Sequence, residues 1–200
     1  DVSRLAKQAG LYTVYVSNSF VTEEALQCMA PNMDVLCSDI KSFSDDFYQD
    51  ICKKSSVQQI LSAIESSQRL GIHVETRTNV IPSKNDSLEN LASIANWIYQ
   101  RLGAESPWHI TKFFPAYRLA HLPATPSEIM WRAHDKARQI GLRNVFVYDD
   151  VGCDCAKNNL PIDEFLGEDK NVLYKPKSCA ANCCGDQGVL LKKYEQQLCE

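Results

Sequence analysis

An α/β fold with parallel strands is what this sequence predicts, on three observations. Strand-like and helix-like segments alternate about five times along the first 150 residues, the signature of βα units. Glycine or proline punctuates many of the joints, at Gly10, Pro31, Gly71 and Pro126. The segment from Ile72 to Ile81 carries His73, Glu75, Arg77 and Asn79 at alternate positions, with Val74, Thr76, Thr78 and Val80 between them. One face of that strand is suited to lie under a helix and the other to meet something polar.

The elements follow in order. Val2, Leu5 and Ala6 give an apolar stripe to a first helix ending at Gly10, and Tyr12 to Ser17 is a short β-branched and aromatic strand. Thr22 to Ala30 reads as a helix stopped by Pro31, and Asp34 to Lys41 as the second strand. Ser44 opens a short helix to Cys52 with acids in its first turn, and Ser56 to Leu70 is a longer one with Val57, Ile60, Leu61 and Ile64 on one face. The third strand, Ile72 to Ile81, leads to a helix from Ser87 to about Leu102, for which Asp86 is the expected cap and Glu89 its reciprocal partner. Trp108 to Phe114, Ser127 to Ile140 and Asn144 to Tyr148 complete the series as strand, helix and strand. Beyond Gly152 the periodicity is lost and the chain turns rich in Cys, Lys, Asp and Gly, so a core domain is expected over 1–150 and a Cys-rich tail over 151–200.

Composition narrows the function classes. Of 200 residues, 44% are apolar and 23% charged, which suits a domain with a sizeable core. A net charge of −4 argues against a nucleic-acid surface, which needs clustered Lys and Arg. There is no apolar run of the roughly 18 residues a membrane span requires and no signal-peptide core, so a cytoplasmic protein is expected. The nine cysteines are odd in number and do not form a secretory disulfide framework. Cys28, Cys37 and Cys52 read as small buried residues. Cys153, Cys155, Cys179, Cys183 and Cys184, with Cys199 beyond them, are grouped as thiolates that hold zinc or an iron–sulfur cluster are grouped, so the tail is either a metal site or a stretch with free thiols.

In parallel α/β folds, ligands gather at the carboxyl ends of the strands. Asp39 and Lys41 share a face there, either as a simple ion pair or as a carboxylate and an ammonium positioning a polar small molecule. Arg77 brings a planar donor fork to the next strand, with a pair to Glu75 as its purely structural alternative. Asn85, Asp86 and Ser87 are explained as turn and cap residues. In the run WHITKFFPAY, a desolvated Lys112 has the chemistry of a Schiff-base lysine. KFFPA at Lys112 to Ala116 resembles the Schiff-base strand of ketodeoxy-phosphogluconate aldolases, although Tyr117 stands where that family has glutamate.

A longer resemblance covers residues 1 to 150. VSNSF at Val16 to Phe20, DVLCSDIKSFSDDFY at Asp34 to Tyr48, GIHVETRTNVIPSKNDS at Gly71 to Ser87, PWHITKFFPAY at Pro107 to Tyr117 and ATPSE at Ala124 to Glu128 carry it. In this order they resemble the radical S-adenosylmethionine (SAM) enzymes, in the branch of pyruvate formate-lyase activating enzymes and the AmmeMemoRadiSam-system enzyme. His109 ahead of FFPAY and the TPSE helix start bring the latter closer.

The resemblance implies a partial (β/α)6 barrel, a [4Fe–4S] cluster held by a CxxxCxxC loop, and cleavage of SAM to a 5′-deoxyadenosyl radical. It implies SAM contacts from Ser17 and Asn18 as the TN of a TNG motif, from Asp39 and Lys41, from Arg77 and from Tyr117. Ser19 stands where the motif has glycine. Neither CxxxCxxC nor the GGEP motif occurs in the sequence; Cys179-x3-Cys183 supplies a first half, with Asp186 at the third position. The chain is therefore expected to be a portion of such an oxidoreductase or activase, truncated on its N-terminal side and inactive in isolation. Its partners would be a small-molecule cosubstrate and, as in the activating enzymes, a protein substrate. The alternatives are a truncated, non-catalytic binding or metal-holding protein and the Lys112 aldolase.

Overall fold

The computed structural model describes residues 1–53 and 56–149. The cysteine-rich tail and its candidate metal ligands Cys153, Cys155, Cys179, Cys183 and Cys184 lie outside the described residues, as does the boundary expected at residue 150.

Helix α1 (Val2–Gln8) precedes strand β1 (Val14–Ser17), α2 (Glu23–Met29) and β2 (Val35–Asp39). A short helix α3 (Asp45–Phe47) widens into a π turn at Tyr48–Cys52 and is followed by α4 (Gln58–Arg69) and β3 (His73–Val80). Then come α5 (Leu88–Arg101), β4 (Trp108–Lys112), α6 (Ser127–Ile140) and β5 (Val145–Tyr148). The five strands form one sheet in the order β1-β2-β3-β4-β5, every neighbouring pair parallel. A strictly sequential parallel order is what repeated βα units of one hand produce.

Local chemistry explains the boundaries. Thr22 caps α2 by accepting from the Ala25 amide, and Ser44 caps α3 by accepting from Phe47. Pro31 does not end α2 abruptly; it sits in a 3-10 turn, Ala30–Asn32, where its missing N–H costs nothing. At α5 the cap is Ser87, whose hydroxyl accepts from the Asn90 amide at 3.2 Å, and not Asp86 as the sequence pattern suggested. Both residue types cap well, so only the backbone path distinguishes them.

Beneath the helices, Val74, Val80, Trp108, Ile110, Val145 and Val147 meet Ile60, Ile64, Leu91, Ile94, Ile98 and Met130 in the main core. Truncating one of these large side chains to alanine costs about 2–5 kcal/mol. Thr76 and Thr78 lie on this face too, and their hydroxyls are satisfied. Thr76 donates to the Pro107 carbonyl at 2.9 Å, and Thr78 donates to the Ile40 carbonyl while accepting from Trp108 Nε1. Among the described residues no helix is long and apolar enough to cross a membrane.

Cys28 is exposed on α2 and Cys37 and Cys52 are half-buried, so none of the three is a fully buried core residue. Cys28 falls on the side of α2 away from Leu26, the residue that helix buries.

Candidate functional site

Side chains in register on parallel strands point to the same side of a sheet, so the pairing determines which polar residues meet. Asp39 is paired with Arg77, Arg77 with His109, and His109 with Phe146. The face opposite the helical core therefore carries Cys37 and Asp39 from β2, His73, Glu75, Arg77 and Asn79 from β3, His109 and Thr111 from β4, and Phe146 and Tyr148 from β5.

At the carboxyl end of β2, Asp39 is held by two cations, one on each oxygen. Lys41 Nζ lies 2.6 Å from Oδ2, and Arg77 Nε donates to Oδ1 at 2.8 Å. The simple ion pair and the candidate site thus coincide, and Arg77 pairs with Asp39 rather than with Glu75. Lys41 is fixed through its backbone: its amide donates to the Tyr48 hydroxyl at 3.0 Å and its carbonyl accepts from Asn85 Nδ2 at 2.6 Å. Burial pushes the Tyr48 phenol up to about 12 despite its backbone hydrogen bonds, so it stays neutral.

Asn85 does more than turn the chain. It is buried, also donates to the Asn79 carbonyl at 3.0 Å, and accepts from the Ile81 amide at 2.6 Å. It thereby ties the end of β3 to the segment after β2. Asn90 extends this tie, accepting from Ser42 Oγ and the Phe43 amide and donating to the Asn85 carbonyl.

Ser17 and Asn18 build the turn after β1. Ser17 Oγ accepts from the Ser19 amide at 3.0 Å and Asn18 Oδ1 from the Phe20 amide at 3.1 Å. Ser19 adopts φ +53°, the left-handed conformation glycine takes most easily, and is buried with its hydroxyl accepting from Ser38 Oγ at 2.6 Å. The turn is therefore kept with serine in it, the buried hydrogen bond offsetting a backbone cost of about 1 kcal/mol. Tyr117, in the 3-10 turn after β4, is 85% exposed with φ +48°, and its ring contact is with the Arg118 guanidinium 5.4 Å away. The structure does not bring it into the Asp39 cluster.

Lys112 is paired with Val80 and follows Trp108 and Ile110 in the alternation of β4, so its position belongs to the helix-covered side. Its ammonium lies 5.7 Å from the centre of the Phe114 ring. A Schiff-base lysine would have to stand on the opposite face, among the polar residues.

A second cluster combines residues that the sequence pattern left separate. Glu75 is buried and accepts from His73 Nε2 on Oε1 and from His109 Nε2 on Oε2, both at 3.1 Å. His109, also buried, meets the Tyr148 hydroxyl with Nδ1 at 3.1 Å and stacks on Phe146, centroids 5.1 Å apart. Burial raises the Glu75 carboxyl, but hydrogen bonds from His109 and His73 and their charge outweigh it and hold it down at about 2. Sequence reasoning placed Glu75 on the polar face of its strand and as an alternative partner for Arg77, and did not single out Tyr148. The parity of His109 in its strand was the available signal.

A metal or cluster finds no holder here: the described residues include no group of three or more His, Cys, Asp or Glu side chains able to bind one. The amino-acid end of SAM does fit, since it presents a carboxylate and an ammonium to an array of two cations and one carboxylate.

Comparison with known proteins agrees with this fold. The family model for the radical SAM superfamily matches residues 1–95. An uncharacterized protein of Methanocaldococcus jannaschii is 31% identical over 193 residues, 94% of this chain and 57% of the relative, so the chain spans little more than half the length of that relative. A domain of pyruvate-formate lyase-activating enzyme from Bacteroides vulgatus superimposes with TM-score 0.63 at 16% identity, over 74% of this chain and 87% of that one. A radical SAM methyltransferase from Sphaerobacter thermophilus gives TM-score 0.56 at 15% identity, over 70% and 41%. These likenesses identify the sheet and its helices as the partial barrel of that fold. The first 95 residues match the radical SAM superfamily, and the sheet has the partial-barrel fold of that superfamily.

Proposed function

We propose that this chain supplies the SAM-facing wall of a radical SAM enzyme in the branch of the activating and AmmeMemoRadiSam-system enzymes. The observation that carries the reading is the Asp39–Lys41–Arg77 array at the carboxyl ends of β2 and β3. It has one net positive charge, which the carboxylate of a bound amino-acid group balances, while Asp39 is placed to accept from that group's ammonium. Asn85 and Tyr48 hold Lys41 by its backbone, so the array is set before the ligand arrives. The turn made by Ser17, Asn18 and Ser19 stands at the end of the neighbouring strand.

In this superfamily a reduced [4Fe–4S] cluster and SAM together supply a 5′-deoxyadenosyl radical. The described residues do not hold that cluster, so their part is to bind and orient the cosubstrate. A protein substrate and a cytoplasmic setting accompany the reading by analogy with the activating enzymes.

Equilibrium dialysis of the full 200-residue chain with SAM tests it. Saturable binding that free methionine displaces and adenosine does not is the expected outcome. An absence of SAM binding, or displacement by adenosine alone, overturns it.

A further inference from the structure

The line Glu75–His109–Tyr148 runs across three strands and climbs toward their carboxyl ends. Glu75 pairs with Cys37, one alternation below the level of Asp39, Arg77 and His109, whereas Tyr148 pairs with Thr111 at the last residue of β5. Burial is graded along it. Glu75 and His109 are buried and Tyr148 is half-buried, so the line begins inside and ends half-buried at the carboxyl end of β5.

Its hydrogen-bond sense follows from charge. Glu75 is ionised and can only accept, so both His73 Nε2 and His109 Nε2 carry hydrogens toward it. In neutral His109 that leaves Nδ1 with its lone pair directed at the Tyr148 O–H. A hydroxyl, a base behind it and a carboxylate orienting the base make the arrangement that activates a side-chain oxygen. Packing alone does not account for it, because apolar residues join strands at lower desolvation cost than a buried carboxylate with two imidazoles. Among the described residues, Glu75 below it and Arg77 beside it in register are charged neighbours of His109 on this face.

We propose that Tyr148 is a proton-exchange group for a substrate hydroxyl or amine bound at the carboxyl ends of β4 and β5, with His109 as its base and Glu75 as the positioning counter-charge. The substrate's proton passes to Tyr148 Oη as the phenol's own proton passes to His109 Nδ1. The substrate is left as its conjugate base and His109 as an imidazolium between Tyr148 and Glu75. This places the reacting molecule two strands away from the Asp39 array on β2 and β3, roughly 10 Å across the sheet, leaving room for a cosubstrate on one side and a substrate on the other.

The relay is tested by treating the full chain, without SAM, with benzenesulfonyl fluoride near pH 7 and mapping the labelled tyrosines by mass spectrometry. The phenol oxygen bonds to sulfur, the S–F bond breaks, fluoride leaves, and the phenol proton goes to His109. Tyr148 is expected to label on the order of 100-fold faster than Tyr117, although the Tyr117 side chain is 85% exposed. His109→Gln and Glu75→Gln should bring Tyr148 down to the Tyr117 rate and leave Tyr117 unchanged. Labelling in order of exposure, with Tyr117 ahead of Tyr148, overturns the proposal, and so does an unchanged Tyr148 rate in His109→Gln. The wild-type ordering requires no variant to fold, and because SAM is absent, failure here leaves the Asp39 reading standing.

Discussion

Replacing Glu75 with Gln keeps the shape of the side chain and one acceptor oxygen while removing the charge. Its amide NH2 then meets the Nε2–H of His73 or His109, donor against donor, unless that ring changes tautomer. The folded carboxyl stands at about 2 against an ordinary 4.5, and a lowering of that size is worth about 3 kcal/mol at pH 7. The sign follows from linkage. A depressed carboxyl stabilises the fold above its unfolded pKa, and the contribution is lost as the pH falls through the folded value. The pH-dependent part of the gap between wild type and Glu75→Gln should therefore be about 3 kcal/mol at pH 7, fall to about 2 kcal/mol at pH 3.5, and vanish below pH 2. In thermal melts near pH 7 the same difference lowers Tm by roughly 6–12 °C. Urea unfolding followed by tryptophan fluorescence measures the gap at each pH, and titrating groups other than Glu75 and the two imidazoles bonded to it cancel in the difference. A gap below about 0.5 kcal/mol at pH 7, or one that does not narrow in acid, refutes the account of a charged Glu75 held by two imidazoles.

Asn85→Ala removes three hydrogen bonds from a buried position and should cost about 3 kcal/mol in urea unfolding. It should also weaken SAM binding in dialysis, because Lys41 loses its backbone anchor. At Ser19 the two small substitutions should differ. Ser19→Ala deprives buried Ser38 of its acceptor and keeps the left-handed strain, costing about 2 kcal/mol, whereas Ser19→Gly relieves the backbone and costs about 1 kcal/mol less by the same measurement.

The βα alternation and the two faces of β3 could be read directly from the chain, because periodicity and breakers are local properties. Asp39, Lys41 and Arg77 were each visible as polar groups near strand ends. That Asp39 lies opposite Arg77 depends on the register between strands 38 residues apart, which no local pattern encodes. The same limit explains Glu75. Its neighbour of matching parity Arg77 is not its partner; His73, two residues away, is one partner and His109, 34 residues away on β4, is the other. The α5 cap was missed by one residue because Asp86 and Ser87 are equally good caps in sequence. Lys112 shows the opposite error: its chemistry suited a Schiff base, but its parity in β4 turns it to the helix side.

Saturation-transfer NMR of SAM with the full chain, its Arg77→Leu variant and its Lys41→Met variant tests the Asp39–Lys41–Arg77 array most directly. The reading predicts transfer to the methionine protons of SAM in the wild type and an affinity about tenfold or more lower in either variant, the loss of one charge-assisted hydrogen bond. Equal transfer from all three proteins, or none from the wild type, contradicts it.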